Sequence, residues 1–252
     1  IMQYFISFGY QGILGAVIAA VLFAITGLII LQLGSYYFAD EHMEVLDRIT
    51  QPWVAKLLDF SITFTCFCIG FVMIAGAGSN LQQQFGLPLW VGAVIMAVLM
   101  IVVGMFDVEK VTNVIGAITP FMILFMVIAS IYAITQTDFT QLEEIDQVAR
   151  TYSSTLPNWW LSSLNYVAMS LMCAVSMAIV MGGVLVDVRV ARYGGLIGGM
   201  TGGGLVLILV FALYFQAGYV RGADLPTLAL VNKINPKLGT IMSIVVLGMI
   251  FN

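Results

Sequence analysis

Between Trp160 and Val186 the chain runs WLSSLNYVAMSLMCAVSMAIVMGGVLV without one charged side chain. A helix needs about 20 predominantly apolar residues to cross the hydrocarbon core of a bilayer, and this stretch is one of several that suffice. The composition is 61% hydrophobic and 9% charged over 252 residues, against roughly 25% charged in a soluble domain. The chain therefore reads as an all-α polytopic membrane protein whose first partner is the lipid bilayer.

All nine Lys and Arg fall outside the apolar runs or at their edges, since a charge in hydrocarbon is costly unless paired. They set spans of about 12–34, 53–78, 88–106, 114–135, 160–186 and 194–215, with partial spans at 1–8 and 238–252. Both partial runs are shorter than a bilayer requires. The expectation is a fragment truncated at both ends, with a glycine-containing helix before Ile1 and at least two more spans after Asn252. The formal net charge is -4 and no basic run is present, so nothing points to nucleic acid.

The loop 36–52 spaces Met43, Leu46 and Ile49 as one face of a short helix lying along the membrane surface. The acidic segment 136–157, with Asp138, Glu143, Glu144 and Asp146, can hold another short helix. In short loops Lys and Arg favour the cytoplasm. Arg48, Lys56, Lys110, Arg189 and Arg192 alternate with the uncharged turns 9–12 and 79–87, which places the charged set inside. Arg221, Lys233 and Lys237 lie in a longer segment, where the rule is weaker.

Two span openings echo each other: Tyr10-Gln-Gly12-Ile-Leu-Gly15-Ala16 and Tyr193-Gly-Gly195-Leu-Ile-Gly198-Gly199. Five spans separate them, an odd number, so the two copies would cross in opposite directions as an inverted repeat.

The stretch Met73-Ile-Ala-Gly76-Ala-Gly78-Ser-Asn-Leu-Gln-Gln-Gln-Phe-Gly-Leu-Pro88, the Tyr166-Val-Ala-Met-Ser170 segment and the Tyr193 to Gly199 opening resemble the YkvI family of bacterial membrane proteins. That family in turn resembles the amino-acid–polyamine–organocation transporters. The resemblance covers essentially the whole chain and implies a fragment of a LeuT-type bundle of two inverted five-helix repeats, located in a bacterial inner membrane. Its pattern carries an Asn where this chain has Ser170, so a hydroxyl stands in place of an amide.

In hydrocarbon a side-chain amide or hydroxyl is costly unless it faces a partner, a cavity or a ligand. Asn165, Tyr166 and Ser170 interrupt an otherwise apolar span and are the candidate solute-binding residues, with Tyr166 one turn below Ser170 on the same face. Unwinding there would free carbonyls for a zwitterion or a cation; the competing role is interhelical hydrogen bonding. Ser61, Thr63 and Thr65 cannot all share one helical face, and Thr63 is the one added to the site. Gly70, Gly76, Gly78 and the run Gly198 to Gly204 are assigned to close helix packing or a hinge. The run has neither the preceding strand nor the Lys-Ser or Lys-Thr pair of a phosphate loop.

Pro120 should kink its span. Cys66, Cys68 and Cys173 are expected as small core residues, Asp59 as the ion-pair partner of Lys56 three residues before it, and His42 as a solvated loop residue.

The leading expectation is a secondary transporter that moves a small polar, amino-acid-like solute by alternating access. No charged side chain sits at the midplane of any span, so a coupling Na⁺ would be held by backbone and hydroxyl oxygens, and coupling H⁺ would need acidic groups elsewhere. A membrane enzyme would need a nucleophile with its base, or a metal cluster, and one His with scattered cysteines supplies neither. A non-transporting sensor or accessory protein on the same fold is the alternative. No cofactor is implied, and oligomeric state is not legible.

Overall fold

The computed structural model of the chain describes residues 1–105, 108–137, 142–234 and 236–251. Phe106, Asp138 and Asn252, which the sequence reading used as a span end, a loop charge and a terminus, lie outside them. Every regular element among the described residues is a helix: a single 3₁₀ turn Ile6–Phe8, then α1 Tyr10–Tyr37, α2 His42–Ile49, α3 Pro52–Phe85, α4 Leu89–Gly104, α5 Val108–Thr135, α6 Leu142–Ala149, α7 Trp159–Val184, α8 Val188–Phe215, α9 Pro226–Ile234 and α10 Pro236–Phe251.

Among the described residues four helices, α1, α3, α7 and α8, are long and apolar enough to cross a membrane. They cover the expected spans 12–34, 53–78, 160–186 and 194–215. The other apolar helical stretches, Leu89–Val102, Thr119–Thr135 and Lys237–Met249, are shorter. Pro120 lies within α5, which continues on both sides of it. Residues 1–8, expected as the tail of a helix, form a turn and the 3₁₀ segment, and Gly9 at φ 60 starts α1 afresh.

The chain forms two compact units, one of Ile1–Cys68 with Arg150–Val210 and one of Ile69–Ala149 with Phe211–Asn252. In the first, α1 is the central element. Gly15 faces Ser163 and Gly34 faces Gly182, so α1 and α7 run parallel, and at Gly34 a Cβ would stand 3.1 Å from the Gly182 Cα. The Ser35 hydroxyl donates to the Leu185 carbonyl at 2.6 Å and ties the two helix ends together.

The glycines of α8 meet α1 in the opposite sense. A Cβ on Gly27 would stand 2.7 Å from the Gly195 carbonyl oxygen, one on Gly199 would stand 2.7 Å from the Ala24 Cα, and one on Gly203 would stand 2.6 Å from the Ala20 Cα. Small residues spaced one turn apart let two membrane helices meet backbone to backbone. Gly194, Gly198, Gly202 and Gly204 have open space instead, so only alternate members of the glycine-rich run pack. In the second unit Gly78 and Gly92 bring α3 against α4 in the same way, whereas Gly70 meets nothing within 4 Å among the described residues.

Four local expectations change. Helix α2 forms where expected, but it buries Val45 and Leu46 with Met43 packed beside them, leaving Ile49 exposed. Its apolar face meets Ile179 and Val175 of α7 and Ala55 and Ile62 of α3, so α2 is docked on protein. That docking carries His42 over α3, where its Nε2 lies 2.9 Å from Asp59 Oδ1. His42 is thus no solvated loop residue, and Asp59 takes His42 rather than Lys56. Nor are the cysteines in the core: on α3 Cys66 and Cys68 are exposed, and on α7 Cys173 is half-buried.

Finally, α3 continues through the expected turn 79–87 as far as Phe85. The acidic segment does contain a short helix, α6, whose first turn carries Glu143 and Glu144, favourable at the positive end of a helix dipole.

Candidate functional site

Tyr166 stands about two turns into α7, and the helix runs through it unbroken. Its ring is edged by Phe5 at 5.0 Å, Tyr4 at 5.5 Å and Phe23 at 6.3 Å between centroids, all tilted or edge-on, the arrangement the ring quadrupoles favour. Tyr4 and Phe5 come from the segment ahead of α1, which the left-handed Gly9 turns back against α7. The Tyr4 hydroxyl reaches the Met169 sulfur at 3.8 Å.

The Ser170 hydroxyl donates to the Tyr166 carbonyl at 2.9 Å. Such back-bonding by Ser and Thr is how helices in apolar surroundings satisfy hydroxyls, and Ser61 and Thr65 on α3 do the same. Ser162, one turn before Tyr166, is fully buried, and its hydroxyl has no partner among the described residues.

Of the four sequence candidates, Tyr166 and Ser170 share this half-buried face, while Asn165 is exposed on a different side of α7. Thr63 is exposed on α3 and is not part of the aromatic cluster. The carbonyls of α7 remain in its helix, so the polar groups available here are side chains.

The second unit holds a polar cluster of another kind, on the last turns of α3. Asn80, fully buried, donates to the Ser243 carbonyl at 2.8 Å, and among the described residues its own Oδ1 and the Ser243 hydroxyl lack partners. Gln83 clasps the backbone of Leu225, donating to its carbonyl at 3.1 Å and accepting from its N–H at 2.9 Å. Gln84 donates to the Thr240 hydroxyl at 3.2 Å and accepts from the Asn232 amide at 2.9 Å. These amides fasten α3 to the start of α9 and to α10. Beside them lies a cavity of about 390 Å³, lined by Gln82, Gln83, Tyr219, Asp224 and Asn232 among others.

The chain is similar to two proteins of Bacillus subtilis (strain 168). It is 22% identical over 222 residues to the uncharacterized protein YyaD, covering 88% of this chain and 63% of the relative. It is 22% identical over 199 residues to the uncharacterized membrane protein YkvI, covering 79% of this chain and 56% of the relative. It thus spans less than two thirds of either relative. No protein-family model and no solved structure matches. With four long apolar helices among the described residues and this similarity to a membrane protein, the chain is a multi-pass membrane protein.

Sequence reasoning missed the amide cluster, although it lies within the Met73 to Pro88 stretch that carries the most specific part of the resemblance. The signal was there: Asn80 and three consecutive glutamines follow a long apolar span. In an uncharged turn 79–87, where the charge pattern puts them, these amides would need no protein partner. Their partners stand between 142 and 163 residues away, a distance at which no local pattern is visible.

Proposed function

We propose that the protein is a secondary transporter that moves a small polar, amino-acid-like solute across the bacterial cytoplasmic membrane by alternating access. The observation that carries this reading is the Tyr166–Ser170 face: polar groups half-buried in an uncharged membrane helix and walled by aromatic rings from the segment before α1. An aromatic wall excludes water and a few hydroxyls orient a polar ligand, the usual composition of a small-molecule site. The antiparallel meeting of α1 and α8 supports the inverted repeat. Ala20 faces Gly203, and these residues stand ten positions after Tyr10 and Tyr193, the residues that open the two echoed segments. A bundle of two such halves, of the LeuT type, places its solute near the repeat interface.

Any coupling Na⁺ would take hydroxyl and backbone oxygens, and coupling H⁺ an acidic group outside the spans. The test is uptake by the full-length protein in liposomes, using labelled amino acids under imposed Na⁺ or H⁺ gradients. Saturable uptake that Tyr166→Phe weakens is the expected result. Intact, monodisperse protein that moves none of them under either gradient would point to a sensor or accessory role.

A further inference from the structure

The cavity beside the amide cluster lies wholly within the second unit and has no part in the transport reading. Its walls are fixed by side chains whose hydrogen bonds are already used. Gln83 is held at both ends of its amide by Leu225, and Asn232 donates to Gln84. Gly222, at φ 81, turns the connection between α8 and α9 around the rim, in a conformation that costs glycine little. The wall is therefore built before any ligand arrives.

Two lining residues are not consumed by that framework. Gln82 and Asp224 are exposed, and among the described residues neither is engaged by another side chain. Among the described lining residues Asp224 is the only charged one. A carboxylate accepts hydrogen bonds and donates none, and an amide oxygen adds a second acceptor. A volume of about 390 Å³ sits at the small end of the range for small-molecule sites. An anion would meet Asp224 with no cationic side chain among the described lining residues to offset it, and a neutral solute would leave the carboxylate without a counter-charge.

We propose that this cavity, formed by the end of α3 and the α8–α9 connection, is a second binding site that takes a small organic cation bearing ammonium N–H groups, held by Asp224 and Gln82. Charge-assisted bonds to a carboxylate are stronger than neutral ones, so Asp224 supplies most of the affinity and Gln82 the preference for N–H donors.

The experiment is calorimetric titration of the protein in nanodiscs with ethanolamine, and with choline as a cation of similar charge lacking N–H groups. Ethanolamine should bind saturably and more tightly than choline. Asp224→Asn should weaken it by about tenfold and Gln82→Ala by less. Both residues are exposed, so the variants should keep the wild-type melting temperature. Tyr166→Phe should leave this binding unchanged, which separates the site from the one on α7 whether or not that site transports. Absence of saturable ethanolamine binding, equal affinity for choline, or an affinity indifferent to Asp224→Asn would each overturn the proposal.

Discussion

The Ser170 hydroxyl and the Tyr166 carbonyl are bonded at 2.9 Å, one turn apart on α7. The bond is local, so the helix does not depend on it: back-bonding serines are close to neutral for helix stability. Ser170→Ala should leave the melting temperature in detergent nearly unchanged. If the hydroxyl turns towards the solute when one is bound, the same change should lower apparent affinity in liposome uptake about tenfold, equivalent to roughly 1.4 kcal/mol. Tyr166→Phe keeps the ring among Tyr4, Phe5 and Phe23 and should behave likewise. Loss of stability with unchanged affinity would make both residues packing elements.

The two glycine registers of α8 carry their own control. Gly199 faces Ala24 and the Phe23 carbonyl, whereas its neighbour Gly198 has open space. Gly199→Ala should cost about 1–3 kcal/mol, as overpacking does, and Gly198→Ala should be neutral or slightly stabilising through better helix propensity. Chemical denaturation of the two variants, side by side, measures the difference.

Much of this was legible before the structure, for a physical reason. Hydrocarbon forces backbone bonds to close within each segment, so apolar run length alone places the bodies of α1, α3, α7 and α8, though neither the end of α3 nor the start of α8. The glycine run 198–204 likewise points to helix packing, although of its members only Gly199 and Gly203, joined by Gly195 before the run, meet α1. The sequence could not show what depended on distant partners. The end of α3 was misplaced because Asn80, Gln83 and Gln84 are satisfied by residues on the α8–α9 connection, α9 and α10. Asp59 was given to Lys56 because a pair three residues apart is visible in a sequence, and His42 arriving on a docked helix is not. On α7 the polar residues were found, and the structure keeps only Tyr166 and Ser170 on one face.

Membrane orientation has a direct check. Charge in the short loops places Arg192 on the cytoplasmic side and the end of α3 opposite. Single cysteines at Gln82 and at Arg192, both exposed, in a background lacking Cys66, Cys68 and Cys173, should differ in intact cells. Only the cysteine at position 82 should react with an impermeant thiol reagent; exclusive reaction at position 192 would invert the topology.

The Gln83 clasp predicts a local loss of protection. Gln83→Ala removes an acceptor from the Leu225 N–H and a donor from its carbonyl. A half-buried pair left unmatched costs about 1–3 kcal/mol, towards the lower end where water can reach. Hydrogen exchange at Leu225 should accelerate in Gln83→Ala and stay as in the wild type in Gln82→Ala, since Gln82 holds no part of the backbone.

Asn80 and Ser243 set up the sharpest contrast. Both are fully buried, yet only the Asn80 amide nitrogen is used, on the Ser243 carbonyl; among the described residues the Asn80 oxygen and the Ser243 hydroxyl have no partner. Removing a buried hydroxyl that makes no bond relieves a desolvation cost, whereas removing a bonded amide loses the bond and leaves a void. Ser243→Ala should therefore be neutral or stabilise by up to about 1 kcal/mol, and Asn80→Ala should destabilise by about 2 kcal/mol or more. Denaturation midpoints of the two variants decide it. If Ser243→Ala proves as damaging as Asn80→Ala, the hydroxyl is bonded in the working protein, and an ordered water joining it to the Asn80 oxygen is the group to look for.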